Sequence, residues 1–324
     1  MKSLPNALAE YLELRREFGY KPDRIETRLR RFLSFWDEKG TSRITTALAL
    51  QFATEPAPRA QATKTGYLCA VRGFARYLAG IDSTVEVPPP GLLRPSLSRF
   101  RPCIYSDAEI RRLLTAALRI PSAKWCGGRY RLKPWTLHGL LGLLAVTGLR
   151  VSEVTGLESE DIDWSEGVLR IKNTKFLKSR LGPLHPSPRE PLRSDAKRRD
   201  RFLAERAHGS CAPFFVTCSG KPCRRGNVGH DFRKLPGQIG LRTPGASHGP
   251  RIHDLRHRFA VTTLLRWYRS GKPVERLRPV LSTYLGHSHG TGTYWSLSCT
   301  PELMAAAGKR LEARWKGARH ADQR

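Results

Sequence analysis

Three consecutive prolines, Pro88, Pro89 and Pro90, stand between Val87 and Gly91 and cut the chain in two. No helix runs through them, because each ring fixes φ, removes a backbone N–H and pushes the preceding residue towards extended backbone. Whatever lies on either side must bury its own core. With 324 residues there is length for two domains of roughly 150 each.

Upstream, the spacing predicts helices over Leu4–Phe18, Pro22–Glu38, Thr45–Thr54 and Arg59–Leu78. In the second of these, Ile25, Leu29, Phe32, Leu33 and Trp36 share one face, while Arg24, Arg28, Arg30 and Arg31 take others. This is a helical bundle over residues 1–90, followed by a linker over 91–103. A second domain over 104–315 opens at Ser106, whose distance from Glu109 is that of a capping box leading into Ile110, Leu113, Leu114 and Ala117.

Further elements are expected in order. They are a helix over Trp135–Val146, a strand over Gly167–Lys172 with a hairpin partner over Leu181–Leu184, a polar helix over Pro188–Ala207 and a short strand over Pro213–Thr217. Helices follow over Val228–Ile239, Leu255–Ser270, Val274–Leu285 and Pro301–Trp315. In the last, Leu303, Met304, Ala307, Leu311 and Trp315 suggest one packed face. A basic tail over 316–324 is expected to be disordered. The fold class is mostly α with a small β-sheet.

Charge narrows the partners. The chain holds 57 Lys+Arg against 28 Asp+Glu, a formal net charge of +29. Residues 1–95 carry only +5 of it, so +24 falls on the second part. Self-repulsion on that scale points to a polyanion, with nucleic acid first, because phosphates neutralised by Lys and Arg release counterions. An acidic or neutral metabolic enzyme is excluded as the default. No apolar run of 18 residues occurs, and Glu10, Glu13 and Glu17 stand where a signal core would be, so a cytoplasmic protein is expected.

The seven cysteines form no CxxC pair and read as reduced thiols. His208, Cys211, Cys218, Cys223 and His230 can be drawn as a metal set, but their spacings fit no standard finger. No metal and no cofactor are expected.

Four basic motifs in the second domain suit the binding and activation of one phosphodiester. Thr147-Gly148-Leu149-Arg150 ends an apolar helix at a glycine able to take positive φ and then presents a guanidinium, whose planar fork matches a phosphate. Lys175 lies in a basic hairpin turn, where its ammonium could reach into a groove or donate a proton. His253-Asp254-Leu255-Arg256 opens a helix, so that the imidazole and the guanidinium can face one point near its positive end, with Asp254 placed to cap the first turn. Finally, Leu285-Gly286-His287 precedes a loop of small residues and Tyr294.

With these motifs in this order, the chain resembles the tyrosine recombinases, or phage-integrase family, of the class carried by bacterial mobile elements. The resemblance spans a helical core-binding domain and a catalytic domain of the second part. It implies a metal-independent site-specific recombinase or integrase that cuts and rejoins DNA through a 3′-phosphotyrosyl link. Arg150 and Arg256 would hold the phosphate, Lys175 would protonate the leaving oxygen, His253 would act as general acid/base, His287 would donate a hydrogen bond, and Tyr294 would attack. The implied partner is double-stranded DNA clamped between the two domains, with monomers in solution and a homotetramer on DNA, in the bacterial cytoplasm at the nucleoid. One position departs from the family pattern. The nucleophile usually stands nine residues beyond the histidine of Leu-Gly-His, where this chain has Ser296, whereas Tyr294 stands seven beyond. A catalytically impaired DNA-binding accessory protein is therefore the alternative.

Overall fold

A computed structural model describes residues 3–20, 22–55, 60–94, 102–121, 132–172, 179–205, 212–243, 245–246, 249–286 and 300–321. Two compact units divide the chain, Met1–Phe100 and Arg101–Thr174 with Ser179–Arg324.

The first unit is four helices, α1 (Leu4–Glu17), α2 (Asp23–Glu38), α3 (Thr46–Thr54) and α4 (Gln61–Ala79). Its core joins Leu8 and Leu12 of α1, Leu29 and Phe32 of α2, Phe52 of α3, and Val71 and Phe74 of α4. These positions recur at helical spacing, so each helix turns one stripe inward. The sequence placed these helices to within a few residues.

The second unit begins at α5 (Asp107–Leu118), with the expected capping box in place. Ser106 Oγ accepts from the Glu109 N–H, and the Glu109 carboxylate accepts from the Ser106 N–H. Next come α6 (Leu132–Thr147), a nearly all-apolar helix through the middle of the core, and the short α7 (Val151–Thr155). A three-stranded antiparallel sheet follows, β1 (Ile162–Asp163), β2 (Val168–Ile171) and β3 (Arg180–Pro183), in the order β1-β2-β3. The expected hairpin is β2 with β3, in the register Val168 to Pro183 and Ile171 to Arg180. The two-residue strand β1 is too short to show periodicity in the sequence.

The remaining helices are α8 (Arg189–Ala204), α9 (Arg225–Phe232), α10 (Leu235–Gln238), α11 (Asp254–Arg269), α12 (Val274–Leu285) and α13 (Pro301–Ala321). Four expectations change here. The stretch 213–217 makes only isolated bridges, Glu158 to Pro213 and Val216 to Pro222, and joins no sheet. The single helix expected over 228–239 is two, with Pro236 at the start of the second, where its missing N–H costs nothing. The tail expected to be disordered continues α13 to Ala321. And the apolar residues of α13 split: Leu303 is buried with Leu264 and Leu281, while Met304, Leu311 and Trp315 are exposed. The side packed on α11 is held instead by Arg310, which pairs with Glu275 at 3.5 Å and lies over the Tyr268 ring.

Candidate active site

Three of the six expected site residues, Arg150, His253 and Arg256, fall among the described residues and meet in the second unit. Lys175, His287 and Tyr294 lie outside them, as does Ser296.

The site forms around the C-terminal end of α12. A helix end leaves its last carbonyls without partners and carries partial negative charge, so it attracts cations. Here three successive carbonyls each accept from a different arginine. Tyr284 O accepts from Arg180 Nε at 2.9 Å, Leu285 O from Arg256 Nη2 at 2.5 Å, and Gly286 O from Arg150 Nη2 at 2.6 Å. His287 is the next residue in the chain.

Two glycines make the approach possible. Gly286 ends α12 at φ +67°, and a Cβ there would stand 2.8 Å from Arg180 Nη1 and 3.3 Å from Arg150 Nη1. Gly148 ends α6 at φ +62°, as its place in the sequence suggested, and a Cβ there would strike the Phe259 ring at 2.6 Å. Its carbonyl accepts from Arg256 Nη1 at 2.9 Å. Arg256 therefore reaches both glycine turns from α11, and is itself only 4% exposed.

A single carboxylate balances this cluster. Glu153, on α7 three residues beyond Arg150, accepts from Arg150 Nη1 at 2.8 Å and from the Arg150 N–H at 2.9 Å. It also accepts from Arg180 Nη1 at 3.0 Å and Arg180 Nη2 at 2.8 Å. Burial raises its pKa, but the hydrogen bonds from Arg180 and Arg150 outweigh this and hold it below the usual carboxylate range. Burial, followed by the charge of Arg150, pulls Arg256 down to about 9, so it stays charged at neutral pH. Arg150 and Arg180 thus share one carboxylate, whose charge Arg256 also feels. Three guanidinium groups against one carboxylate leave net positive charge suited to an anion.

His253 is the N-cap of α11, with its ring 5.1 Å from that of His257. Solvent reaches His253, yet the protein packed around the ring, and then the charges of His257, Arg256, Arg251 and Arg150, push its pKa below the usual imidazole range. It is neutral at pH 7 and able to accept a proton. Asp254 does not cap the first turn of the helix as expected. Its carboxylate accepts from the Arg251 N–H at 2.9 Å and so fixes the preceding turn.

Glu153 and Arg180 were not singled out by sequence reading. The capping-box spacing of Arg150 and Glu153 was the available signal for the first. Nothing local marked Arg180 among the basic residues of its hairpin.

Of the drawn metal set, His208 and Cys211 lie outside the described residues, while Cys218, Cys223 and His230 line one cavity of about 390 Å³. Cys69, Cys103 and Cys223 are free thiols, but Cys218 is disulfide-bonded, which corrects the expectation of a reduced thiol there. Among the described residues the one group spaced to hold a cation is Glu158, Glu160 and Asp161, and the Lys172 ammonium occupies it at 2.6 to 3.4 Å. No described helix is long and apolar enough to cross a membrane.

Comparison with known proteins identifies the family. Residues 108–295 match the phage integrase family. The integrase/recombinase y4rB of Sinorhizobium fredii is 44% identical over 98% of this chain and 99% of its own length. Tyrosine recombinase XerC of Chlorobaculum tepidum is 30% identical over 73% of this chain and 68% of its own. In fold, the chain is similar to the Tn1549 transposon integrase solved with transposon right end DNA, at TM-score 0.58 and 18% identity over 94% of this chain and 99% of that one. It is also similar to the XerH site-specific recombinase solved with its difH substrate, at TM-score 0.58 and 17% identity over 83% and 73%. The chain belongs to the phage integrase family, the tyrosine recombinases.

Proposed function

We propose that the protein is a site-specific DNA strand transferase that works through a 3′-phosphotyrosyl intermediate, with the second unit as its catalytic domain and the first as its core-binding domain. The observation that carries this reading is the convergence of Arg150 and Arg256 on consecutive carbonyls, one residue ahead of His287. Guanidinium groups locked before substrate arrives need no reorganisation as charge develops on a phosphate.

The Tyr294 oxygen attacks the scissile phosphorus, and the bond from phosphorus to the 5′-oxygen breaks. Neutral His253 takes the tyrosine proton, Lys175 gives one to the departing 5′-oxygen, and Arg150, Arg256 and His287 hold the non-bridging oxygens. Attack by the 5′-hydroxyl of a partner strand reverses these steps. The partner is double-stranded DNA carrying the ends of a mobile element, which places the protein at the nucleoid. Met304, Leu311 and Trp315 form an exposed stripe along α13, and this supports assembly of a tetramer on DNA.

A suicide substrate with a nick beside the scissile phosphate tests the reading. The expected result is a covalent protein–DNA adduct from the wild type and from Ser296→Ala but not from Tyr294→Phe. No wild-type adduct despite tight binding favours the accessory protein, for which Ser296 at the usual nucleophile position is the supporting observation.

A further inference from the structure

From the bonding around Glu153 we infer that Arg180, on strand β3, is a positioning residue for catalysis: it fixes the orientation of Arg150 through the shared Glu153 carboxylate. This rests on Arg150 holding the scissile phosphate.

Arg180 is only 14% exposed, and its fork spans the carboxylate, Nη1 to Oε1 at 3.0 Å and Nη2 to Oε2 at 2.8 Å. Arg150 uses the same two oxygens, its Nη1 binding Oε1 at 2.8 Å and its backbone N–H binding Oε2 at 2.9 Å. Without Arg180 the carboxylate would be held, among the described residues, only by Arg150 itself, so carboxylate and guanidinium could shift together. The bidentate fork of Arg180 is the independent anchor that fixes the carboxylate plane. The plane set by Arg180 therefore decides where Arg150 finds its acceptor. The third donor, Nε, bonds Tyr284 O, two residues before the carbonyl that takes Arg150 Nη2. One guanidinium thus indexes the carboxylate and the helix end, the two features that define the direction of Arg150. Lysine cannot do this, since a single ammonium has no fork.

Were Arg180 merely structural, its loss would lower stability and add to any loss at Arg150. If it acts through Arg150, the two losses overlap. Single-turnover adduct formation is measured on a nicked duplex carrying a site the protein selects from randomised DNA. Wild type, Arg180→Gln, Arg150→Lys and the double variant are compared below the melting temperature of each. Arg180→Gln is expected to slow the step about 100-fold, the scale of a 1 Å misplacement. In the Arg150→Lys background the same change should cost less than about threefold. Losses that multiply, or a full rate in Arg180→Gln, overturn the inference. Arg180→Lys keeps a charge beside Glu153 should the glutamine variant not fold, and it too must be slow.

A second readout separates this inference from the reading it rests on. Affinity is compared for duplexes with a phosphate or an uncharged methylphosphonate at the scissile position. A wild type that forms no adduct but prefers the phosphate, with that preference lost in Arg180→Gln, overturns the strand transferase and upholds the positioning role. A preference untouched by Arg180→Gln overturns the positioning role alone, and a wild type with neither adduct nor preference overturns both.

Discussion

The two units bury different things. Among the described residues, all eight buried polar or charged side chains, Thr147, Glu153, Thr155, Asp161, Arg199, Asp254, Arg256 and Thr300, belong to the second unit. The helical bundle of the first unit closes on apolar side chains, with rings such as Phe32 and Phe52 in edge contact at 5.2 Å. Its arginines stay nearer the surface, Arg30 pairing with Glu26 across one helical turn and remaining 69% exposed. The first unit is stabilised by burial of a kind any helical bundle has. The second sets desolvated charge inside itself, which stabilises little by itself and makes sense as a device for holding guanidinium groups in place.

The largest predicted effects set one unit against the other. Phe74→Ala, at a side chain with no exposure, should cost about 3–5 kcal/mol in the first unit by cavity formation. Glu153→Ala should cost a similar ~3–5 kcal/mol in the second, because it leaves Arg150 and Arg180 without their counter-charge. Urea unfolding read by probes in each unit checks both. The comparison breaks if Glu153→Ala proves nearly neutral, since the carboxylate would then not anchor the cluster.

Acid should sharpen the contrast. A folded pKa held below the ordinary value stabilises fully above that value and is lost as pH falls through the folded one. Glu153 is lowered from 4.5, so its contribution fades only in the range below that pH. His253 is lowered from 6.5 to about 4, so its contribution fades between those values. Melting followed from pH 7 to pH 3 should show the second unit weakening over both ranges. His253→Asn should reduce the earlier loss, which His257 and His138 share because burial lowers them too, and Glu153→Gln should reduce the later one. The first unit of Phe74→Ala should not show the earlier loss, since its one lowered group among the described residues, Asp82, starts from 3.8. For the same reason, the acid limb of adduct formation assigned to His253 should lie well below pH 6.5.

What the sequence revealed follows the range of the interactions. The stripe of α2, the Ser106–Glu109 box and the turn at Gly148 are local patterns, and all were legible. The β2–β3 hairpin was too, because its strands are close in sequence. The cluster at α12 depends on contacts between residues 27 apart, Arg180 with Glu153, and 136 apart, Arg150 with Gly286. No periodicity reports such pairs. Motif order brought Arg150, His253 and Arg256 together, but could not show which carboxylate and which further arginine hold them. The face of α13 was legible only in part, for a related reason. Leu303 packs beside Leu264 and Leu281, and Arg310 takes the rest of the contact, a choice made by the neighbouring helices rather than by apolar spacing alone.

The smallest predicted effect asks whether the difference between the units extends to their surfaces. Thr45 caps α3 by accepting from the Leu48 N–H at 3.1 Å in the first unit, and Ser106 caps α5 by accepting from the Glu109 N–H at 3.2 Å in the second. Each hydroxyl satisfies one donor of an otherwise unpartnered first turn, and neither touches buried charge. Thr45→Ala and Ser106→Ala should therefore each cost about 1 kcal/mol, a few degrees in melting temperature read separately for each unit. Ser106→Ala should also leave adduct formation unchanged. Equal, small and catalytically silent losses would confine the contrast to the buried polar positions. A loss of cleavage in Ser106→Ala would mean that the entry to the second unit, where Arg258 of α11 bonds Tyr105 O and Asp107, carries strain through to Arg256 on the same helix.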